Sequence, residues 1–279
     1  MARANQWHRA QTLLLFVVVL AFAACDRSAP ASPVAMRAQY LIDLDSFREP
    51  SLPSQTLVHV ALLNPTDTVA DVAATVYFEE QAPAHFSLRV PAASNQVSSP
   101  DGWPIPPNVR WALKVESLTP IVAQATLGWS NVGNDYAPSA HTTSPRGRRE
   151  AAKSYMAIPQ LSRAWRIADG FLIDDPKQIW LRESERVVIL NPGNSDAHAV
   201  LTLYDVGRRE PHPVHIAAQR LKVIDMTSVA GRNRRYGAEV SSDQPIAVQW
   251  LREVRWYDSE EMMTFWSLPA VPETADGWR

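Results

Sequence analysis

Leu63-Asn64-Pro65, then Ala70, Thr75, Tyr77, Val115, Ser117, Pro120-Ile121 and Gln124, is the stretch on which the fold turns, because the chain carries it twice. It returns as Leu190-Asn191-Pro192, then Ala197, Thr202, Tyr204, Val240, Ser242, Pro245-Ile246 and Gln249. The offset is 127 residues at the first block and 125 at the last, so the copies differ little in loop length. Matching residue types in one order at one spacing mark a duplicated structural unit. One β-rich domain is therefore expected twice, over residues 37–161 and 162–272, with a short tail at 273–279.

Each copy is patterned as strands. Leu57–Leu63 is a β run stopped by Asn64-Pro65, since proline lacks a ladder donor and disfavours helix before it. Val72–Phe78 follows, and His85–Val90 alternates so that Phe86, Leu88 and Val90 share a face. Trp111–Ser117 and Ile121–Trp129 complete the set, divided by Leu118-Thr119-Pro120. The second copy repeats it as Arg186–Leu190, Ala199–Tyr204, His212–Ala217, Tyr236–Ser242 and Ile246–Leu251. Short strands with turn signals between them predict an all-β protein of two tandem antiparallel β-sandwich domains. Tyr155–Pro159 resembles Phe265–Pro269, so each is expected to be its domain's last strand. That makes Ser130–Lys153 an excursion within the first domain, with a possible helical turn near Arg149–Lys153.

The start of the chain predicts a compartment. Arg3, His8 and Arg9 precede Thr12–Ala24, an apolar run too short to span a bilayer and suited to a secretory signal over residues 1–24. Ala21-Phe22-Ala23-Ala24-Cys25 resembles a bacterial lipobox, with the chain's only cysteine at the cleavage point. An ordinary cleaved signal followed by an incidental cysteine is the alternative. Acylated Cys25 would attach the chain to a membrane, residues 25–36 would serve as the tether, and both domains would lie in the periplasmic cell envelope. By resemblance to enteric lipoproteins, Asp26 favours the inner membrane over the outer.

Composition narrows the class. A formal charge of -2 argues against nucleic-acid binding. With no cysteine beyond Cys25, each domain must rest on its packed core. Ten Trp and 22 Pro against 10 Gly suit aromatic-cored strands joined by proline turns.

Motifs for catalysis are not found: no nucleophile elbow, phosphate-binding glycine loop or zinc spacing. His212 and His215 are three apart on a predicted strand and face opposite sides, so no metal is expected there. The acidic pairs Glu79-Glu80, Asp174-Asp175 and Glu260-Glu261 suit solvated loop ends. No cofactor is expected. Trp103 and Trp111 are candidate platforms for a sugar, against the plainer expectation of aromatic packing at strand borders. The arginine groups at 146–149 and 232–235 are candidates for lipid headgroups or an acidic partner, and Arg235 with Tyr236 completes the ligand-contact candidates.

The second copy resembles the Anabaena sensory rhodopsin transducer family. The residues that carry the likeness are Trp165–Gly170, Leu190-Asn191, Asp196-Ala197, Arg209–Pro211, Tyr236–Ala238 and Ser242–Ile246 with Gln249. The first copy is similar through Tyr77–Glu80, Glu116-Ser117 and Pro120–Val122. The resemblance implies a small β-sandwich. The founding member is a cytosolic photoreceptor partner that assembles as a homotetramer, and relatives are suggested to bind small molecules such as sugars. This chain departs by its export signal. It also lacks the basic, histidine-bearing run after the third strand, where Ala93–Gln96 and Ala218–Leu221 stand. The expectation is a non-catalytic envelope lipoprotein that binds a protein partner or a second copy of itself. A carbohydrate or small-solute binding module is the alternative.

Overall fold

Alternation decides which side of each strand is buried. The computed structural model describes residues 36–45, 54–98, 100, 102–131, 149–172, 181–256, 262–269 and 271–272. The expected signal, Cys25, tether, the 132–148 excursion with most of its arginines, both later acidic pairs and the tail lie outside the described residues. In the first copy β1 (Arg37–Asp45), β6 (Arg110–Ser117), β3 (Ala70–Phe78) and β4 (Ala84–Val90) pair in that order as one antiparallel sheet. The facing sheet runs β5 (Ser94–Ser98), β2 (Ser54–Asn64), β7 (Val122–Asn131), β8 (Arg149–Met156). Val60, Leu62, Val72, Val76, Leu113, Val115 and Leu127 turn inward to form its core.

The second copy has the same plan. β9 (Ser162–Phe171), β14 (Arg235–Trp256), β11 (Ala197–Asp205) and β12 (Arg208–Ile216) form the first sheet. The other holds β13 (Arg220–Asp225), β10 (Leu181–Asn191), β14 again, and β15 (Met262–Pro269). β16 (Val271–Pro272) pairs β9, and α1 (Met226–Ala230) is the helix among the described residues. Asp225 caps that helix by accepting the Thr227 N–H. The two expected strands Tyr236–Ser242 and Ile246–Leu251 are one continuous β14, whose halves serve different sheets. Its pairing with β9 slips between Ser241 and Ile246, around Pro245, so the strand changes sheets there without stopping. In the first copy the same crossing breaks the chain at Leu118–Pro120.

Two details of the expectation are corrected. Arg149–Lys153 is extended, as the start of β8 paired to β7, because the ladder supplies its backbone partners. Gln124 faces Met156 and Gln249 faces Pro269, so Met156 rather than Pro159 is the counterpart of Pro269.

The twice-used asparagine explains the repeated motif. Asn64, with no exposed surface, donates through Nδ2 to the carbonyls of Thr68 (2.7 Å), Val90 (3.2 Å) and Pro91 (3.0 Å). Its Oδ1 accepts the Thr66 N–H at 3.0 Å. Asn191 repeats this with Ser195 (2.8 Å), Ile216 (3.2 Å) and Ala217 (3.2 Å), and accepts the Gly193 N–H at 3.0 Å. A short amide thus satisfies buried backbone groups where one sheet hands over to the other. A second stitch uses different chemistry for one target: Gln39 Nε2 donates to the Ile121 carbonyl (2.5 Å), and Trp165 Nε1 to the equivalent Ile246 carbonyl (3.0 Å).

The sandwiches share apolar burial within the compact unit Met36–Arg279. Tyr40, Ile42, Tyr77 and Ala112, on the outer face of the first copy's β1-β6-β3-β4 sheet, pack into the core cluster of the second. They meet the outer face of β10, whose Val188 and Leu190 are buried. A β-bulge between Leu41 and Leu44 puts Asp43 at φ 58°. Its buried carboxylate takes a two-point grip from Arg186, Nε to Oδ1 at 3.0 Å and Nη2 to Oδ2 at 3.1 Å. The half-buried pair Lys114–Glu116 (2.7 Å) lies on the same sheet face.

Three measurements follow from this arrangement. Asn191→Ala is expected to lower stability in urea denaturation by about 3 kcal/mol, the upper end for orphaned buried groups. Asn191→Asp should do no better, since an acceptor would then face three carbonyls. Arg186→Ala should cost about 3–5 kcal/mol by stranding Asp43, while Arg186→Met combined with Asp43→Asn loses much less. Burial, then the Glu116 charge, pushes the Tyr40 hydroxyl up to about 12. Burial, then Tyr40 and Glu116, raises Tyr77 as well. Both are buried neutral, so stability is intact below about pH 10, where unfolded tyrosine ionises, and is lost as pH rises toward the folded values. Denaturation midpoints followed across that window should fall, and Tyr40→Phe with Tyr77→Phe should flatten the decline.

Candidate interaction surface

Duplication makes each sheet face comparable with its counterpart, and one pair of faces differs sharply. On β2 the side chains of His59, Ala61 and Leu63 point away from the core; the matching β10 residues are Arg186, Val188 and Leu190. Register places Val122 opposite Leu63, Val97 and Gln124 opposite Ala61, and Met156 opposite Gln124. These residues share one surface. Leu63 is 43% exposed, Val97 58%, Val122 38% and Met156 52%. Their counterparts Leu190 and Ala247 are both 0% exposed, and Val188 is 1% exposed beside them. The first copy's own sheet covers the second copy's face; among the described residues nothing covers the first copy's.

The polar residues whose side chains are described beside these four carry no formal charge. Asn95, Gln124, Thr126 and Ser154 border the aliphatic ones, and Thr126 and Ser154 share a hydrogen bond of 2.7 Å. His59 lies at the end of the row. Contiguous exposed apolar surface of this kind marks an interaction site more often than scattered single residues do. The outer face of the second copy's β9-β14-β11-β12 sheet, at the other end of the molecule, is polar instead. Arg166 Nε donates to Glu239 at 3.0 Å, and Arg209 lies 5.8 Å over the Tyr204 ring.

The sequence-derived ligand candidates fall elsewhere. Trp111 is wholly buried: it faces inward beside Leu44 and Phe78 in the first core, so its ring offers no platform. Trp103 is half-buried, packed at 4.8 Å against Phe86 and 6.3 Å against Trp111. Next to them an open depression of about 200 Å³ lies between Phe78–Gln81 and Asn108–Arg110. That is smaller than the roughly 300 Å³ at which small-molecule sites begin. Arg235 lies 5.1 Å over Phe171. Tyr236 is buried, its hydroxyl donating to the Glu185 carboxylate, which also accepts the Phe171 N–H at 3.0 Å. Burial and then Glu185 raise the Tyr236 pKa, so the hydroxyl remains a donor. Gly170 is required here, because a Cβ would come within 2.2 Å of the Tyr236 ring.

The structure brings Trp103 and Trp111 together, and sets Arg235 and Tyr236 in the other sandwich. His212 and His215 do lie on opposite sides of β12: His215 is exposed across from His198, while His212 faces Leu201 in the core. His215 Nε2 meets Asp196 Oδ2 at 2.9 Å, and the His198 ring is 5.3 Å away. Among the described residues no group of three or more potential metal ligands occurs. The exposed face on β2 and β7 is not among the sequence-derived candidates. Its signal was the consecutive apolar pairs Leu62-Leu63 and Ile121-Val122, which give both faces of a strand an apolar residue.

Comparison with known proteins places this geometry. The crystal structure of Thermotoga maritima 1070 is similar at 16% identity with a TM-score of 0.33, over 44% of this chain and 92% of that one. The Anabaena sensory rhodopsin transducer is similar at 24% identity with a TM-score of 0.26, over 31% of this chain and 91% of that one. No match is found among curated proteins. The sequence model of the Anabaena sensory rhodopsin transducer family matches residues 36–134 and again 161–267. Matched once in each sandwich, the chain belongs to the Anabaena sensory rhodopsin transducer family and carries its domain in duplicate.

Proposed function

We propose that this protein is a non-catalytic interaction module of the cell envelope, held to a membrane by acylated Cys25 and offering the outer face of β2 and β7 to a protein partner. The observation that carries the reading is the exposure of Leu63, Val97, Val122 and Met156 on a face whose duplicate is an internal packing surface. Such a face, aliphatic at its centre and neutral at its rim, suits a protein surface better than a polyhydroxylated ligand. The tether rests on the sequence, where a short apolar run ends at the chain's only cysteine. The inner membrane is the preferred attachment because Asp26 follows that cysteine.

A carbohydrate-binding role is the second reading, favoured by the depression beside Trp103. Its small volume and the burial of Trp111 put it behind the first.

Fractionation and capture test the proposal together. The wild-type chain should sediment with membranes, whereas Cys25→Ser should appear in the soluble fraction. Pull-down from detergent-solubilised native membranes should retain a partner that Val97→Arg loses, with the variant's melting temperature unchanged. A partner held equally by both proteins excludes this face. A glycan that raises the melting temperature of wild type but not of Trp103→Ala would move the assignment to the depression.

A further inference from the structure

We infer that β4 is an open docking edge, to which a partner protein adds an extended segment as a fifth strand of the β1-β6-β3-β4 sheet. The site is separate from the β2–β7 face and does not rest on the reading of that face.

Two side-chain contacts fix which backbone groups face outward. Ser117 Oγ donates to the Asp71 carbonyl at 3.0 Å, so the polar backbone groups of Asp71 turn toward β6. In an antiparallel ladder both groups of one residue point to the same side, and the side alternates along the strand. Asp71, Ala73 and Thr75 therefore turn toward β6, and their β4 partners Arg89, Ser87 and His85 turn N–H and C=O outward. β4 ends its sheet, and among the described residues no strand pairs with that side.

The duplicated strand supplies the contrast. The His198 N–H donates to Asp243 of β14 at 2.8 Å, so Arg209, Pro211, Pro213 and His215 are the β12 residues turned outward. Two of these four have no N–H to offer. The inward positions between them hold Glu210 and His212, and Glu210 accepts from Arg234 at 2.7 Å. Proline at outward positions and polar groups at inward ones close an edge against strand addition. At the same places β4 has His85 and Ser87 outward, and Ala84 and Phe86 inward. One copy of the edge is closed and the other is left open.

The side chains of β4 define the occupant. Phe86 and Leu88 are half-buried at the margin of the first core, with Phe86 against Trp103. Alternate residues of an added strand would lie beside them and extend that core, so they are apolar. The other face presents His85, Ser87 and Arg89. Arg89 meets Asp71 only at 3.8 Å with both side chains largely exposed, which leaves its guanidinium open to a carboxylate on the added strand. The occupant is thus a segment of alternating apolar and polar residues with an acid beside Arg89. A second β4 fits poorly, because pairing about Ser87 would set each Arg89 opposite the other copy's His85 rather than an acid.

Amide hydrogen exchange on the full chain in detergent tests the inference, with the synthetic peptide Thr-Val-Thr-Val-Glu-Val-Thr as the probe. At about 1 mM the peptide should slow exchange at His85, Ser87 and Arg89 by about tenfold, the protection given by a Kd of about 0.1 mM. Arg209 and His215 on β12 should exchange as before. N-methylating either the Val residues or the polar residues of the peptide removes the donors of one edge, so one of these peptides should bind and the other not. Ser87→Pro, which copies Pro213, should keep its melting temperature and lose the peptide, whereas Val97→Arg should bind it as wild type does. Absence of protection in wild type overturns the inference. So does binding by both N-methylated peptides, since a ladder uses one edge of the peptide. Protection kept in Ser87→Pro but lost in Val97→Arg overturns it as well and moves the peptide to the β2–β7 face. A dimer of the chain that Ser87→Pro breaks would give the edge to a second copy, and the proposed occupant would fall.

Discussion

The outer face of β10 must be kept from water, and the rest of the unit is arranged around that requirement. Arg186, Val188 and Leu190 point away from the core of their own sandwich, yet lie beneath the first one. Two aliphatic side chains supply burial, and one cation supplies direction, since its guanidinium has to meet Asp43 in a fork of two hydrogen bonds. Apolar contact alone would allow the sheets to slide. A buried carboxylate set on a bulge, with its backbone at φ 58°, fixes the register between them. An ion pair of this kind contributes less to net stability than to selecting one arrangement, because desolvation consumes much of its attraction.

Duplication usually gives interchangeable parts, and here burial has separated them. Tyr77 is enclosed where Tyr204 faces solvent, and Ala112 packs where Gly237 leaves room. Inside the sandwiches the divergence runs the other way. The second copy holds a buried polar cluster of Glu185, Tyr236 and Arg252, with Arg252 Nε 3.7 Å from the carboxylate. At the same places the first copy has Val58, Trp111 and Leu127. The second sandwich thus relies partly on hydrogen bonding where the first relies on apolar packing alone, although the strand order is the same.

Much of this was legible in the residues. The repeat and the turn asparagines are local features, and a buried amide that caps three carbonyls leaves the same motif wherever the unit is copied; β1, β5, β9 and β13, and the order of strands in the sheets, depend on pairing that no single stretch displays. The sheet change at Pro245 was seen as a gap because proline usually ends a strand; in β14 it falls at the slip in pairing, where no ladder bond is lost. Arg149–Lys153 carried no alternation, and only its partner β7 makes it extended. Trp111 shares a side of its strand with Leu113 and Val115, and the structure gives it the plainer of its two expected roles, core packing rather than a platform. The contact between sandwiches was the least accessible. It depends on which of two chemically similar faces is covered, although the unbroken run Val187–Leu190 held the trace of a strand buried on both sides.

β1 has a consequence of a mechanical kind. It is an edge strand, paired along one side to β6 and held on the other by the Tyr40–Ile158 bridge and by hydrogen bonds from Gln39 to Ile121 and Ala123 and from Tyr155 to Ile42, and it also carries Tyr40, Ile42 and Asp43 into the junction between the sandwiches. Tension arriving from residues upstream of Met36 therefore enters the molecule at the strand that holds its halves in place. A steady pull would load the β1–β6 ladder, the Gln39 and Tyr155 hydrogen bonds and the grip on Arg186 together. The joint between the sandwiches would therefore feel such a load through the same strand that anchors the first of them.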